Sequence, residues 1–132
     1  MKKISIFIFF FAFNISVNAQ TSSTSTSKTG CVVGDCIGMT GKYLFENGDK
    51  YNGEWVNGLR NGYGRYDYHT GEWYLGDFKN DTIAGQGNYR LLDGSWISGK
   101  WSNYILVAPG KETDPKYLNY KIPVMAKKSE VK

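Results

Sequence analysis

Few residues of this chain are of the types that do covalent or acid–base chemistry, and their spacing argues against most of it. There is one histidine, His69, and two cysteines, Cys31 and Cys36. The cysteines enclose Val32-Val33-Gly34-Asp35. In an exported chain such an even pair favours a structural disulfide closing a tight hairpin loop. A redox pair normally has C-x-x-C near a βαβ pattern, and zinc normally takes four ligands; both remain as alternatives at this point. Glu46, Asp49, Glu54, Glu72 and Asp77 are spaced like strand-surface charges, whereas a glycosidase pair must flank a cleft. Gly62-x-Gly64 and Gly85-x-Gly87 lack the Gly-Lys-Ser/Thr and the following helix of a phosphate loop. His69 precedes Thr70-Gly71 and reads as a turn residue. The chain is therefore expected not to be an enzyme, and to need no cofactor or metal.

Binding chemistry is better represented. Trp73 and Trp96 stand 23 positions apart, with Leu75, Arg65, Arg90 and Lys100 around them in sequence. Tryptophan with interleaved Arg and Lys suits sugar rings, peptide or a membrane interface. The competing reading is that the C-terminal tail or the curvature of a sheet covers both rings.

The elements that would hold these residues come from a 23-residue repeat over residues 41–101. Gly41, Gly64 and Gly87 fall into register. So do Gly48, Gly71 and Gly94, then Gly53, Gly76 and Gly99. Aromatic columns follow, among them Tyr43, Tyr66 and Tyr89, and Trp55, Phe78 and Trp101. Each unit reads as a β-hairpin with alternating apolar and polar positions. Glu46-Asn47-Gly48, His69-Thr70-Gly71 and Leu92-Asp93-Gly94 are the turns. A two-residue type I′ turn would put the β-branched Thr70 at positive φ, which is disfavoured. A three-residue loop with only its glycine left-handed fits all three. That choice pairs Tyr43 with Tyr51 and Gly41 with Gly53, and puts Tyr43, Phe45, Tyr51 and Trp55 on one face. The other face is mostly polar and carries Trp73 and Trp96. A single-layer sheet this small buries little surface by itself, so it should need the disulfide, the C-terminal segment or a partner for support.

The runs YNGEWVNGLRNGYGRY and YLGDFKNDTIAGQGNY resemble MORN repeats. Tyr51, Gly53, Trp55, Gly58, Gly62 and Gly64 match that motif in full. Tyr74, Gly76, Phe78, Gly85 and Gly87 match, with Asp81 in place of the middle glycine. A third unit keeps Gly99 and Trp101 but has Ile97 in place of tyrosine. The Cys loop and the N-terminal pattern look like those of the bacterial exported members. The resemblance implies an all-β fold, a single-layer antiparallel meander of stacked hairpins; the residues beyond it read as a short irregular or helical C-terminal segment. It implies an accessory module, with phospholipid binding or dimerising scaffolds among its uses, and little about activity.

Residues 1–19 have the three-part pattern of a cleaved signal peptide. Lys2 and Lys3 precede an apolar run at 4–13, and Val17-Asn18-Ala19 offers a small-residue cleavage site. The run is half of what spans a bilayer, and Cys31 lies too far on for lipidation. The expected organisation is signal peptide 1–19, Ser/Thr-rich flexible linker 20–30, repeat domain 31–103 with the Cys loop as its cap, and C-terminal segment with basic tail 104–132. Residues 104–108 could add a final strand, Thr113-Asp114-Pro115 resembles a helix start, and residues 126–132 are expected to fray. Net charge is +4 and falls to +2 without residues 1–19, too little for a nucleic-acid face. The expectation is an exported, periplasmic or secreted, non-catalytic binding or scaffolding module in the cell envelope. Its partner would be a protein or a second copy. An anionic phospholipid, bound through Trp73, Trp96 and the basic tail, and an envelope glycan are the alternatives.

Overall fold

The structure, a computed structural model, describes residues 29–128. The expected signal peptide and nearly all of the linker lie outside the described residues. Eight antiparallel strands follow one another in a single sheet, in sequence order. They are β1 (Gly30–Gly34), β2 (Thr40–Leu44), β3 (Lys50–Val56), β4 (Leu59–Asp67), β5 (Trp73–Lys79), β6 (Thr82–Arg90), β7 (Trp96–Ser102) and β8 (Ile105–Pro109). One short 3-10 turn, η1 (Pro115–Tyr117), follows, capped by the Asp114 side chain.

The register is the one the glycine columns require. Gly41, Gly53, Gly64, Gly76, Gly87 and Gly99 lie opposite one another in a continuous row across β2 to β7. Beside it runs a row of Tyr43, Tyr51, Tyr66, Tyr74, Tyr89 and Ile97. The two rows explain each other. The Tyr51 ring lies flat over Gly64, and the Tyr74 ring over Gly87, so any Cβ at either glycine would run into a phenol. Each phenol then donates to a carbonyl of its own strand, Tyr51 to Glu54 at 3.0 Å and Tyr74 to Asp77 at 3.3 Å. Trp55 and Trp101 donate their indole N–H groups to Gly41 and Gly87 carbonyls, both at 3.0 Å. Most polar groups of the aromatic face are thereby paired, as a buried surface requires; the Tyr89 hydroxyl and one Arg60 guanidinium nitrogen are buried without a partner.

Two kinds of turn alternate along the meander. The three-residue turns form at the expected places. Gly48, Gly71 and Gly94 have φ of 88°, 104° and 87°, and each donates to the residue before its loop, Phe45, Tyr68 or Leu91. The connections at the other end of the sheet are two-residue turns with both residues at positive φ: Asn57-Gly58, Asn80-Asp81 and Asn103-Tyr104. They join Val56 to Leu59, Lys79 to Thr82 and Ser102 to Ile105.

Cys31 and Cys36 form a disulfide with Cα atoms 5.9 Å apart. Its setting corrects the expected hairpin. Cys31 pairs across the ladder with Tyr43, and Cys36 lies in the turn between β1 and β2. The cysteines therefore tie a strand to its following loop and do not face each other on two strands. The reason is visible at Gly41. A Cβ there would lie 2.8 Å from Cys36 Sγ, so the sulfur covers this glycine as the Tyr51 and Tyr74 rings cover Gly64 and Gly87.

The C-terminal segment covers the aromatic face. Residues 119–122 pair with the outer edge of β8 through bonds joining Asn119 and Tyr120 to Leu106, and Ile122 to Tyr104. The chain then crosses the face towards β2. Ile122 and Met125 are part of the core, with Tyr120 and Ala126 packed against it. Tyr68 donates to the Pro123 carbonyl at 2.7 Å, and Ala126 N–H donates to the Tyr66 hydroxyl at 2.8 Å. Residues 126–128 were expected to fray. They are held instead, Ala126 through its N–H on the Tyr66 hydroxyl and Lys128 through its ammonium on the Cys36 and Gly58 carbonyls of two turns.

Candidate functional site

The sheet has two faces with different fates. Along the inner strands burial alternates, as in β3, where Tyr51, Gly53 and Trp55 are buried and Lys50, Asn52, Glu54 and Val56 exposed. The buried face is occupied by the chain's own tail. The outer face is open among the described residues.

On the outer face one cross-strand row reads Leu44, Lys50, Asp67, Trp73, Arg90, Trp96. Residues directly opposite are close enough to interact, and here they stack. The Trp73 and Trp96 rings meet edge to face with centroids 4.7 Å apart. The Arg65 guanidinium lies 4.0 Å from the Trp73 centroid and that of Arg90 5.0 Å from Trp96. Asp67 holds Arg65 in place through bonds of 2.8 and 2.5 Å. Trp96 is 41% exposed, and Trp73 and Leu75 are half-buried. Leu75 lies in the next row, between Arg65 and Asn88, and borders a shallow trough of about 360 Å³ with Tyr63, Gln86 and Ser98. Lys100 pairs with Gln86 and Ala108, two rows away from Trp96. The structure thus brings Arg65, Trp73, Arg90 and Trp96 into one cluster, places Leu75 beside it and leaves Lys100 apart. The tail covers the opposite face, so the reading in which it buries the two tryptophans does not hold.

Asp49, Glu54, Asp77 and His69 have structural partners. Glu54 and Asp77 accept from the Tyr63 and Gln86 N–H groups at 2.9 and 2.8 Å. These lie at equivalent positions of the two units, where the ladders β3–β4 and β5–β6 carry bulges. Asp49 is buried at 2% exposure and accepts from the Tyr66 hydroxyl, Asn47 and the backbone of His69, with His69 Nδ1 at 2.8 Å. Burial alone would raise the Asp49 carboxyl, but these bonds outweigh it and hold the group below its ordinary value. Burial pushes the Tyr66 and Tyr68 phenols well above theirs, so both remain donors.

Two residues of consequence escape a reading of spacing. Arg60 is 2% exposed on the aromatic side. Its guanidinium lies 5.4 and 5.2 Å from the Phe45 and Tyr66 ring centroids, and its Nε donates to Asp81 at 2.7 Å. Positions 83 and 106, one and two periods on, are Ile and Leu, both buried. Asp81 in turn stands where the first unit has Gly58. The two departures from the repeat are one ion pair, and the column 60, 83, 106 was the signal that could have found it. The second is Lys128, whose ammonium donates to the Cys36 and Gly58 carbonyls at 3.0 and 3.3 Å. No periodicity marks it.

A one-layer meander in which every hairpin buries its face against its neighbours is a repeat architecture, and such folds act through the extended surfaces they present. Residues 51–73 and 74–96 each match the family model of the MORN repeat. Residues 51–96 thus carry two adjacent MORN repeats of 23 residues each. The geometry continues past the matched stretch, since Trp101 repeats the indole bond of Trp55. MORN repeats serve generally as protein- or membrane-interaction modules. No curated protein sequence matches the chain.

Proposed function

We propose that this is an exported, non-catalytic binding module that docks a protein partner in the cell envelope through the outer face of its sheet. The supporting observation is the Trp73–Trp96 pair flanked by Arg65 and Arg90. Aromatic and arginine side chains are the residue types that dominate interface energetics, and these are fixed on strands, so little ordering entropy is lost on docking. Export rests on the pattern in residues 1–19. The alternative of an anionic phospholipid surface is less well supported. It called on Trp73, Trp96 and the basic tail together, and residues 119–128 lie on the opposite face, so one flat membrane cannot meet both. A glycan surface would use the same tryptophans with Gln86, Asn88 and Ser98.

A photo-crosslinking amino acid at position 96, in cells, tests the reading. Protein adducts of discrete size at 96, absent with the crosslinker at exposed Lys79 and weakened by Trp73→Ala, are expected. Flotation with anionic vesicles lost in Trp73→Ala, without protein adducts, would replace the reading with the phospholipid one. Retention on an envelope polysaccharide instead would favour the glycan.

A further inference from the structure

The tail lies on the aromatic face as a bound peptide lies in a groove. Three of its residues are anchors, Ile122, Met125 and Lys128, spaced by three. Ile122 is 1% and Met125 3% exposed, and Lys128 is the residue bonded to two carbonyls. Pro123 and Val124 between the first two point outward to solvent. Three residues per turn is the period of the extended left-handed helix that peptide grooves recognise. The face also reads the peptide backbone, because Tyr68 donates to the Pro123 carbonyl while Tyr66 accepts from the Ala126 N–H.

The last anchor occupies a built site for a primary ammonium. Lys128 Nζ sits 5.2 Å from the Tyr43 ring centroid and 4.7 Å from that of Trp55. Two aromatic faces supply the negative quadrupole that attracts a cation, and the Cys36 and Gly58 carbonyls accept two of the three ammonium protons. Three of these four groups are positioned by other constraints. The disulfide places Cys36, the two-residue turn places Gly58, and the indole bond to Gly41 fixes Trp55. The tail does not fill its groove. Cavities of about 240 and 650 Å³ flank it, the first lined by Tyr43, Phe45 and Ala126, the second by Arg60, Tyr104 and Met125 among others.

We propose that the aromatic face is a recognition groove for an extended peptide segment with an apolar residue, a second apolar residue three positions on, and a lysine three beyond that. Residues 122–128 of the chain are its resident occupant, and a lysine-bearing segment of another protein is the ligand. The resident lysine competes with an incoming one, so the groove is available in proportion to how often the tail lifts. The inference does not depend on the outer face, since none of its residues is shared with the Trp73–Trp96 cluster.

The test uses the processed, oxidised protein with Lys128→Ala and, as a second variant that keeps the aliphatic stem, Lys128→Met. The probe is a terminally blocked peptide with the sequence of residues 119–128, and its Lys128→Gln counterpart. The readout is the indole N–H signal of Trp55 by NMR. The lysine peptide should move that signal in both variants, bind them more tightly than it binds the unaltered protein, and bind about tenfold more tightly than the glutamine peptide. An unmoved Trp55 signal, or equal affinity for the two peptides, would overturn the proposal. So would n-butylammonium binding as tightly as the lysine peptide, which would mean a bare cation site without a peptide groove.

Discussion

Changing Asp81 to glycine should be far more damaging than its place in an exposed turn suggests, and changing Arg60 to isoleucine in the same chain should undo most of the damage. Asp81 Oδ1 accepts from Arg60 Nε at 2.7 Å and from the Arg60 backbone N–H at 3.0 Å. A hydrogen bond involving a charged group contributes about 1.5–3 kcal/mol and a neutral one about 1 kcal/mol. Glycine gives some of this back, because Asp81 sits at a φ of 68°, a conformation glycine adopts without steric cost. What remains is a guanidinium at 2% exposure that has lost its counter-charge. Removing one member of a buried pair costs about 3–5 kcal/mol. Because Asp81 itself is 24% exposed, the lower end applies, about 3 kcal/mol. Isoleucine at 60 removes the orphaned charge and copies Ile83 at the equivalent position. Arg60→Ile/Asp81→Gly should therefore come within about 1 kcal/mol of the unaltered protein. Urea unfolding followed by tryptophan fluorescence measures all four members of the cycle. The reasoning fails if Asp81→Gly costs less than about 1 kcal/mol, or if the double variant is no more stable than Asp81→Gly alone.

Acid should act through Asp49. Its folded carboxyl is held below the ordinary value, so the stability it contributes is complete above the unfolded value, about 3.9, and is lost as pH falls through the lower folded value. Asp49→Asn should flatten that acid limb of a melting-temperature profile; an unchanged limb would mean the four bonds to Asp49 do not act together. The disulfide closes a loop of sequence separation 5, and the chain-entropy relation gives about 2 kcal/mol for so short a ring. Cys31→Ser/Cys36→Ser should lower the unfolding free energy by that amount while the far-UV spectrum stays that of a sheet. Loss of the fold would show that Cys36 closes the ladder as indispensably as the Tyr51 and Tyr74 rings do.

Half of the turn chemistry was legible and half was not, for a reason that lies in the glycines. Gly48, Gly71 and Gly94 recur at one period, and Thr70 rules out two positive-φ residues beside Gly71, so loop length, register and face all follow. At the other end of the sheet the left-handed pairs are Asn57-Gly58, Asn80-Asp81 and Asn103-Tyr104. Only the first has the Asn-Gly signature. The column that does repeat is the asparagine, a residue tolerant of this conformation, but it stands among other polar residues and is easily passed over. The Trp73–Trp96 surface was legible in composition and in face because alternation fixes both. Its arginine stacking follows from cross-strand register, which the glycine row had already determined, and Lys100 drops out by the same register.

The tail was not legible because nothing local dictates it. An extended strap has no hydrogen-bond period of its own, so its sequence carries no alternation to read, and its positions are set by what the sheet lacks. The Tyr66 hydroxyl, which donates to Asp49, still has an acceptor position and takes Ala126 N–H there; the Tyr68 hydroxyl needs an acceptor and finds the Pro123 carbonyl. A one-layer sheet of this size was expected to need the disulfide, the C-terminal segment or a partner for support, and the C-terminal segment supplies Ile122 and Met125 to the core; composition could not choose among the three. The answer has a functional consequence. Because the support is a peptide, the surface that stabilises the fold has the chemistry of a peptide site. Affinity for a partner at that face and stability of the free protein must therefore trade against each other, and a variant that opens the groove to ligand is expected to be the less stable one without it.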